Sequence, residues 1–201
     1  MRAGVSFVML ALALGACTVP TALPGASPTT PSPAAAPGQP TAREAYIPAV
    51  ELIRQRDPGA RLSSAAAAWT PVIDRAALEA GRGGWTFFFY LPGTQETAPA
   101  MAAVVVDQPG EARLAQAIPW ETPPTLLSDQ GWQTDSPQAI ALLPEACKGL
   151  PERDPGAQAA MRLSADASLG GLVWEVQITP GPQGLQEGCE VKVDATTGQV
   201  R

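Results

Sequence analysis

The chain has 201 residues, of which 45% are hydrophobic and 16% are charged, and its formal net charge at pH 7 is −6. Acidic chains repel nucleic acid and anionic lipid headgroups, so neither is an expected partner. The chain contains no histidine, which excludes Ser-His-Asp and Cys-His catalysis and removes the commonest metal ligand. We therefore expect no enzymatic activity, no bound metal and no cofactor.

Residues 1–16 have the plan of a secretory signal, with Arg2 ahead of an apolar run over 5–14. That run is far shorter than the roughly 20 residues a membrane-spanning helix needs. The stretch Leu14-Gly15-Ala16-Cys17 resembles the lipobox of bacterial lipoproteins. The resemblance implies cleavage before Cys17 and lipidation of its thiol. An ordinary cleaved signal followed by a chance cysteine is the alternative.

Lipid on Cys17 would hold an exported chain on a bacterial membrane, because two or three acyl chains bind durably. Thr18 follows the cysteine where an aspartate would favour the inner membrane. We therefore expect an outer-membrane, cell-surface or periplasmic location. Residues 18–41 contain seven prolines and no charged residue, so 17–41 is interpreted as a lipidated, extended tether. Proline-rich tracts also serve as partner ligands or glycosylated stalks.

Three segments of the remaining chain recur later in the same order. They are 56–60 with 153–157, 85–93 with 174–181, and 104–107 with 191–194. The members of the first pair are 97 residues apart and those of the last pair are 87 residues apart. An alignment of the two halves therefore needs a gap of ten residues between these segments. Such self-similarity is typical of a repeated architecture. Chance similarity in a chain rich in proline and glycine is the alternative.

Each half has the pattern of one helix followed by three or more strands. We therefore predict an α+β fold of two repeated units, each a helix packed on a small antiparallel β-sheet. The units span 42–117 and 136–201, and 118–135 is the connector. The strand at 85–91 is apolar on both faces, which favours burial between the halves or against a partner.

The two helices carry recognisable start signals. Thr41 and Glu44 fit a capping box, and the first helix should stop at Asp57-Pro58. Pro48 either kinks this helix or is its first residue. Ser136-Pro137 predicts the start of the second helix, with a capping side chain followed by proline.

Cys147 and Cys189 are the cysteines that remain besides Cys17. Cys147 shares a helix face with Ile140 and Leu143, and Cys189 alternates in phase with Val191. Both thiols should therefore point inward, and an even pair in an oxidising compartment predicts a disulfide. Two unpaired buried thiols are the alternative.

Two further pairs of residues are candidates for chemistry or recognition. Asp107 and Asp194 end corresponding strands, where turn capping is favoured over a metal site or a carboxylate pair. Trp120 and Trp132 lie in the connector, and each is either a packing anchor or an exposed binding residue.

The segments 174–178 and 191–200 together resemble the PepSY domain, in which a helix lies over a small antiparallel sheet. The second segment, V-K-V-D-A-T-T-G-Q-V, carries the better match, whereas the first half has Gln108-Pro109-Gly110 in place of the Thr-Gly turn. An unrelated α+β domain of the same layout is the alternative.

The PepSY resemblance implies a noncatalytic envelope module that binds or inhibits peptidases. The expected function is therefore a membrane-anchored lipoprotein that acts as a binding or regulatory module on an envelope protein or peptide. A structural lipoprotein that scaffolds membrane complexes is the alternative.

Overall fold

The computed structural model describes residues 38–69, 75–94, 97–128, 131–166, 171–182, 184 and 187–201. Seven strands of these residues form one sheet. They are β1 (Arg61–Trp69), β2 (Trp85–Leu91), β3 (Ala100–Gln108), β4 (Glu111–Pro119), β5 (Gln158–Asp166), β6 (Gly171–Thr179) and β7 (Cys189–Asp194). The order across the sheet is β4-β3-β2-β1-β5-β6-β7, and every neighbouring pair is antiparallel.

Five helices accompany this sheet in the described part of the chain. They are α1 (Ala42–Arg56), α2 (Arg75–Ala80), α3 (Ser136–Ala141), α4 (Glu145–Lys148) and α5 (Leu150–Arg153). The fold is α+β with an antiparallel sheet, as the sequence predicts. Pairing of β1 with β5, from Ala65 opposite Leu163 to Trp69 opposite Ala159, joins the strands of both halves into one continuous sheet.

The helices cover one face of the sheet. α1 packs against β2, β3 and β4, and α3 packs against β6. Along β5 the side chains of Ala159, Met161 and Leu163 are buried, whereas those between them are exposed. This alternation places the core between the helices and one side of the sheet.

Strand β2 has the predicted bounds, but it is not buried between the halves. Trp85, Phe87 and Phe89 are fully buried beneath the helices. Phe88 points to the other side of the sheet, because neighbouring residues of a strand face opposite ways. β2 lies within the sheet between β3 and β1, so it is not sandwiched between the halves.

Helix α1 begins and ends where the sequence predicts. The Thr41 hydroxyl accepts from the Glu44 amide, and the Glu44 carboxylate accepts from the Thr41 amide at 2.9 Å, which completes the capping box. The helix stops at its C-cap, Asp57. Pro48 lies inside the helix, so it is not the first helical residue.

The single second helix predicted from Ser136 onwards is wrong, because that segment forms three short helices. Leu142 and Leu143 form a turn, and Pro144 is the N-cap of α4, since proline cannot donate the hydrogen bond that would continue α3. The N-cap of α3 is Asp135, one residue before the predicted start, with Gln138 completing its capping box.

Ser136 is buried where the N-termini of α1 and α3 meet. Its hydroxyl accepts from the Ala42 amide at 3.0 Å and donates to the Gly81 carbonyl at 2.7 Å. The Asp135 carboxylate accepts from the Arg43 amide at 3.0 Å. The side chains of Asp135 and Ser136 thus satisfy amides at the start of α1 that have no partner within the helix.

Two buried tryptophans attach these helix starts to the sheet. The Trp85 indole N–H donates to the Pro40 carbonyl at 3.2 Å, and the Trp174 indole N–H donates to the Thr134 carbonyl at 2.7 Å. Each of these carbonyls directly precedes the N-cap of a helix, Thr41 or Asp135. The two indole rings pack edge to face with centroids 5.8 Å apart.

Cys147 and Cys189 form the predicted disulfide, which links α4 to the edge strand β7. Their Cα atoms are 5.8 Å apart, and 42 residues separate them in sequence. The bridge acts mainly by constraining the unfolded chain, because it closes a long loop.

Replacing both cysteines in the variant Cys147→Ser/Cys189→Ser should lower the free energy of unfolding by about 4 kcal/mol, the loop-closure value for this separation. Urea unfolding followed by tryptophan fluorescence measures this difference. Reduced wild-type protein is the matched control and should unfold near the variant. Equal midpoints for oxidised and reduced wild type would contradict the prediction.

Candidate functional site

The face of the sheet away from the helices, named here the open face, carries small and apolar side chains along its central strands. Residues in phase with Phe88 lie on this side, among them Ala66 of β1, Ala103 of β3 and Ile118 of β4. An uncovered apolar sheet face in a folded protein indicates a surface that meets something else.

A cavity of about 290 Å³ lies on the open face where β4 leads into the connector. We name it the Trp120 cavity. Its principal lining side chains are Ser63, Phe88, Met101, Gln116, Ile118, Trp120 and Pro124. Among the described residues, none that lines it is charged, so it suits an apolar group.

Backbone hydrogen bonds hold the connector beside this cavity. The Trp120 amide donates to the Pro99 carbonyl at 2.9 Å, and the Leu127 amide donates to the Leu62 carbonyl at 2.8 Å. Leu127, which follows Pro124 in the sequence, is buried and so holds the later part of the connector in place. The wall that carries Trp120 and Pro124 is therefore tied to the sheet at both ends.

Trp120 differs from the four other tryptophans in its hydrogen bonding. The indole N–H groups of the others donate to backbone carbonyls at 2.7–3.2 Å; these are Trp69, Trp85, Trp132 and Trp174. Within the described residues the Trp120 indole N–H has no such acceptor, and the residue is 45% exposed. It offers an aromatic ring and a free donor at the rim of an apolar cavity.

The structure separates the two connector tryptophans. Trp132 is only 2% exposed, packs on Trp174 with ring centroids 5.8 Å apart, and donates to the Thr134 carbonyl. It is a packing anchor for the end of the connector. Trp120 is the one of the pair that a partner can reach.

A second concavity, of about 450 Å³, lies over the central strands on the open face. Ala66, Ala68 and Ala160 contribute to its floor, and Arg162 and Glu175 line it as well. This central groove lies next to the Trp120 cavity along β2. Thr86 lines the groove, and Phe88, two residues farther along the strand, lines the cavity. Charged side chains therefore line the central groove, in contrast to the Trp120 cavity.

The paired aspartates have different surroundings. Asp194 caps its turn as predicted, since its carboxylate accepts from the Thr196 and Thr197 amides, both at 2.9 Å, and also pairs with Arg201. Asp107 instead pairs with Arg113 at 3.0 Å. Residue 109, the counterpart of Thr196 two positions on, is a proline and has no amide hydrogen to offer.

Sequence reasoning missed most of the Trp120 cavity. Phe88, Met101 and Ile118 come from three strands, and their meeting depends on the register of β2, β3 and β4. The signal available in the sequence was the strand 85–91, which is unusually hydrophobic on both faces. That pattern favoured burial of both faces, between the halves or against a partner, and did not locate the cavity.

Cys17, the lipobox and most of the tether lie outside the described residues. Among the residues that are described, no helix is long and apolar enough to cross a membrane. No group of three or more acidic or cysteine side chains placed to hold a metal ion occurs in that same part. The chain matches no known family model, no curated protein and no solved structure.

Asp194 makes a pH-dependent contribution to stability. The Arg201 guanidinium, aided by the Thr197 and Thr196 amides, lowers the pKa of Asp194 from 3.8 to about 2. A pKa depressed in the folded state stabilises the fold above the unfolded value, and this stabilisation is lost as the pH falls towards the folded value.

Wild-type protein should therefore lose more stability between about pH 4 and about pH 2 than the variant Asp194→Asn, which has no carboxylate to titrate. Urea midpoints measured across this interval test the difference. The two curves should converge towards pH 2. Curves that stay parallel would show that the carboxylate contributes nothing there.

Proposed function

We propose that this chain is a membrane-anchored lipoprotein of the bacterial cell envelope that acts as a noncatalytic binding or regulatory module. The observation that carries the binding role is the Trp120 cavity, which is apolar, solvent-accessible and uncharged. Lipid on Cys17 would supply the anchor, and the lipobox resemblance supports this part. Modulation of a peptidase is the specific activity that the PepSY resemblance favours.

We also propose that the fold consists of two repeated PepSY-like units that share one sheet. Matched contacts of the recurring segments 56–60 and 153–157, which both read Arg-Asp-Pro-Gly-Ala, support this. Asp57 accepts from the Gly59 amide at 2.8 Å and the Gly93 amide at 3.2 Å. Asp154 accepts from the Gly156 amide at 3.0 Å and the Gly181 amide at 2.9 Å.

The unequal spacing of the repeats has a local explanation under this proposal. The chain between β1 and β2 includes α2, whereas only residues 167–170 separate β5 from β6. An insertion at that point produces the change of offset between the first and the later recurring segments. The capping boxes at Thr41 and Asp135 support the same correspondence.

A structural scaffolding role is the second candidate, and the exposure of β4 favours it. Among the described strands β4 lies at the edge of the sheet and pairs with β3 alone, and its residues 115–119 are exposed. Edge strands of this kind can pair with another chain. Pro119 and the irregular register near Gln116 oppose such pairing, so we place this role second.

The anchor is tested by the variant Cys17→Ser. We expect wild-type protein to fractionate with membranes and its N-terminal peptide to carry the mass of lipidated Cys17, because acyl chains hold it there. Cys17→Ser should be released from the membrane fraction. A wild-type N-terminus at any residue other than Cys17 would refute the anchor.

The binding face is tested by placing a photo-crosslinking amino acid at single sites in the full chain in intact cells. A crosslinker at Ile118, 43% exposed at the cavity, should give one discrete product. Leu142, 39% exposed beside the helices, is the matched control and should give none. Equal products at both sites, or at neither, would refute the open face as the binding surface.

A further inference from the structure

We infer that the Trp120 cavity binds an uncharged, proline-containing segment of a partner protein in an extended conformation. In this complex the Trp120 indole N–H donates to a backbone carbonyl of the segment, and apolar side chains enter the cavity. The inference rests on the proposed binding function and names the chemistry of the partner.

The hydrogen-bonding state of Trp120 is the first support. Four of the five tryptophans donate to carbonyls within the fold, whereas the Trp120 indole N–H has no acceptor among the described residues and the residue is 45% exposed. Its backbone amide is already held by Pro99, so the ring is presented from a fixed point of the connector. A donor in this position matches a carbonyl oxygen.

The charge character of the lining is the second support. A charged ligand group entering the cavity would lose hydrating water without gaining a counter-charge, which disfavours its binding. Gln116 and Ser63 are the polar side chains of the lining, and both can hydrogen-bond neutral groups. The lining therefore selects an uncharged segment.

The size and aromatic content of the cavity point to an extended segment. A volume of about 290 Å³ lies near the lower end of ligand pockets, so it accepts side chains of a short stretch rather than a folded element. Polyproline-type segments leave their carbonyls free and lose little entropy on binding, and aromatic-lined grooves recognise them. Trp120, Phe88 and Pro124 form a surface of that type.

The test uses the full chain, purified in detergent, and two acetylated and amidated peptides. One contains only proline and leucine, and the other has aspartate in place of every leucine. The indole N–H signal that is lost in Trp120→Phe identifies Trp120 in the NMR spectrum. We expect the uncharged peptide to move this signal downfield and to leave the four other indole signals in place.

Affinity should fall roughly threefold to tenfold in Trp120→Phe, which keeps the aromatic ring and removes one neutral hydrogen bond. Ile118→Asp should abolish binding because it adds a charge at the cavity, whereas Leu142→Asp, on the helix side, should bind normally. Equal binding of the aspartate peptide, or undiminished binding by Trp120→Phe, would overturn the inference.

Two further outcomes are distinguishable. Crosslinking from Ile118 without a peptide-induced shift of Trp120 overturns the ligand chemistry and leaves the binding function intact. A Trp120 signal that moves when residues 18–37 are deleted would assign the cavity to the chain's own proline-rich segment, and this also overturns an external partner.

Discussion

The attachment of two helix starts to one sheet through Trp85 and Trp174 is the constraint on which the fold depends. Each indole N–H donates a hydrogen bond to the carbonyl of the residue before an N-cap, and the two rings pack on each other in the core. Because both attachments lie on one side of the sheet, both helical segments cover that side. The opposite side is left without a layer among the described residues, and the Trp120 cavity lies there.

Local signals in the sequence were sufficient for features that depend on neighbouring residues. The Thr41–Glu44 capping box, the end of α1 at Asp57 and the bounds of β2 follow from such signals. The disulfide was predicted because Cys147 and Cys189 each lie in phase with apolar residues and form an even pair. The interruption of the second helix was not predicted. The apolar spacing of Ile140, Leu143 and Cys147 is typical of one continuous helix, although Pro144 ends such a helix.

Contacts between residues far apart in the sequence determine the features that local signals did not predict. Trp120 and Trp132 lie in the same proline-rich connector, yet one is exposed and the other buried. The difference arises because the backbone amides of Gln133 and Thr134 donate to the Ala195 carbonyl. These hydrogen bonds hold the end of the connector where Trp132 packs on Trp174. No signal near either connector tryptophan encodes that contact, just as nothing local encodes the pairing of β1 with β5.

The path of the chain into the domain also has a geometric consequence. The Pro40 carbonyl accepts from the Gly83 amide, so the residues before α1 enter the fold beside the first residues of β2. Phe88 lies three residues farther along that strand than Trp85, about 10 Å away at the usual rise per residue. The Trp120 cavity, which Phe88 lines, therefore begins only a few residues along β2 from the point where the chain enters the fold.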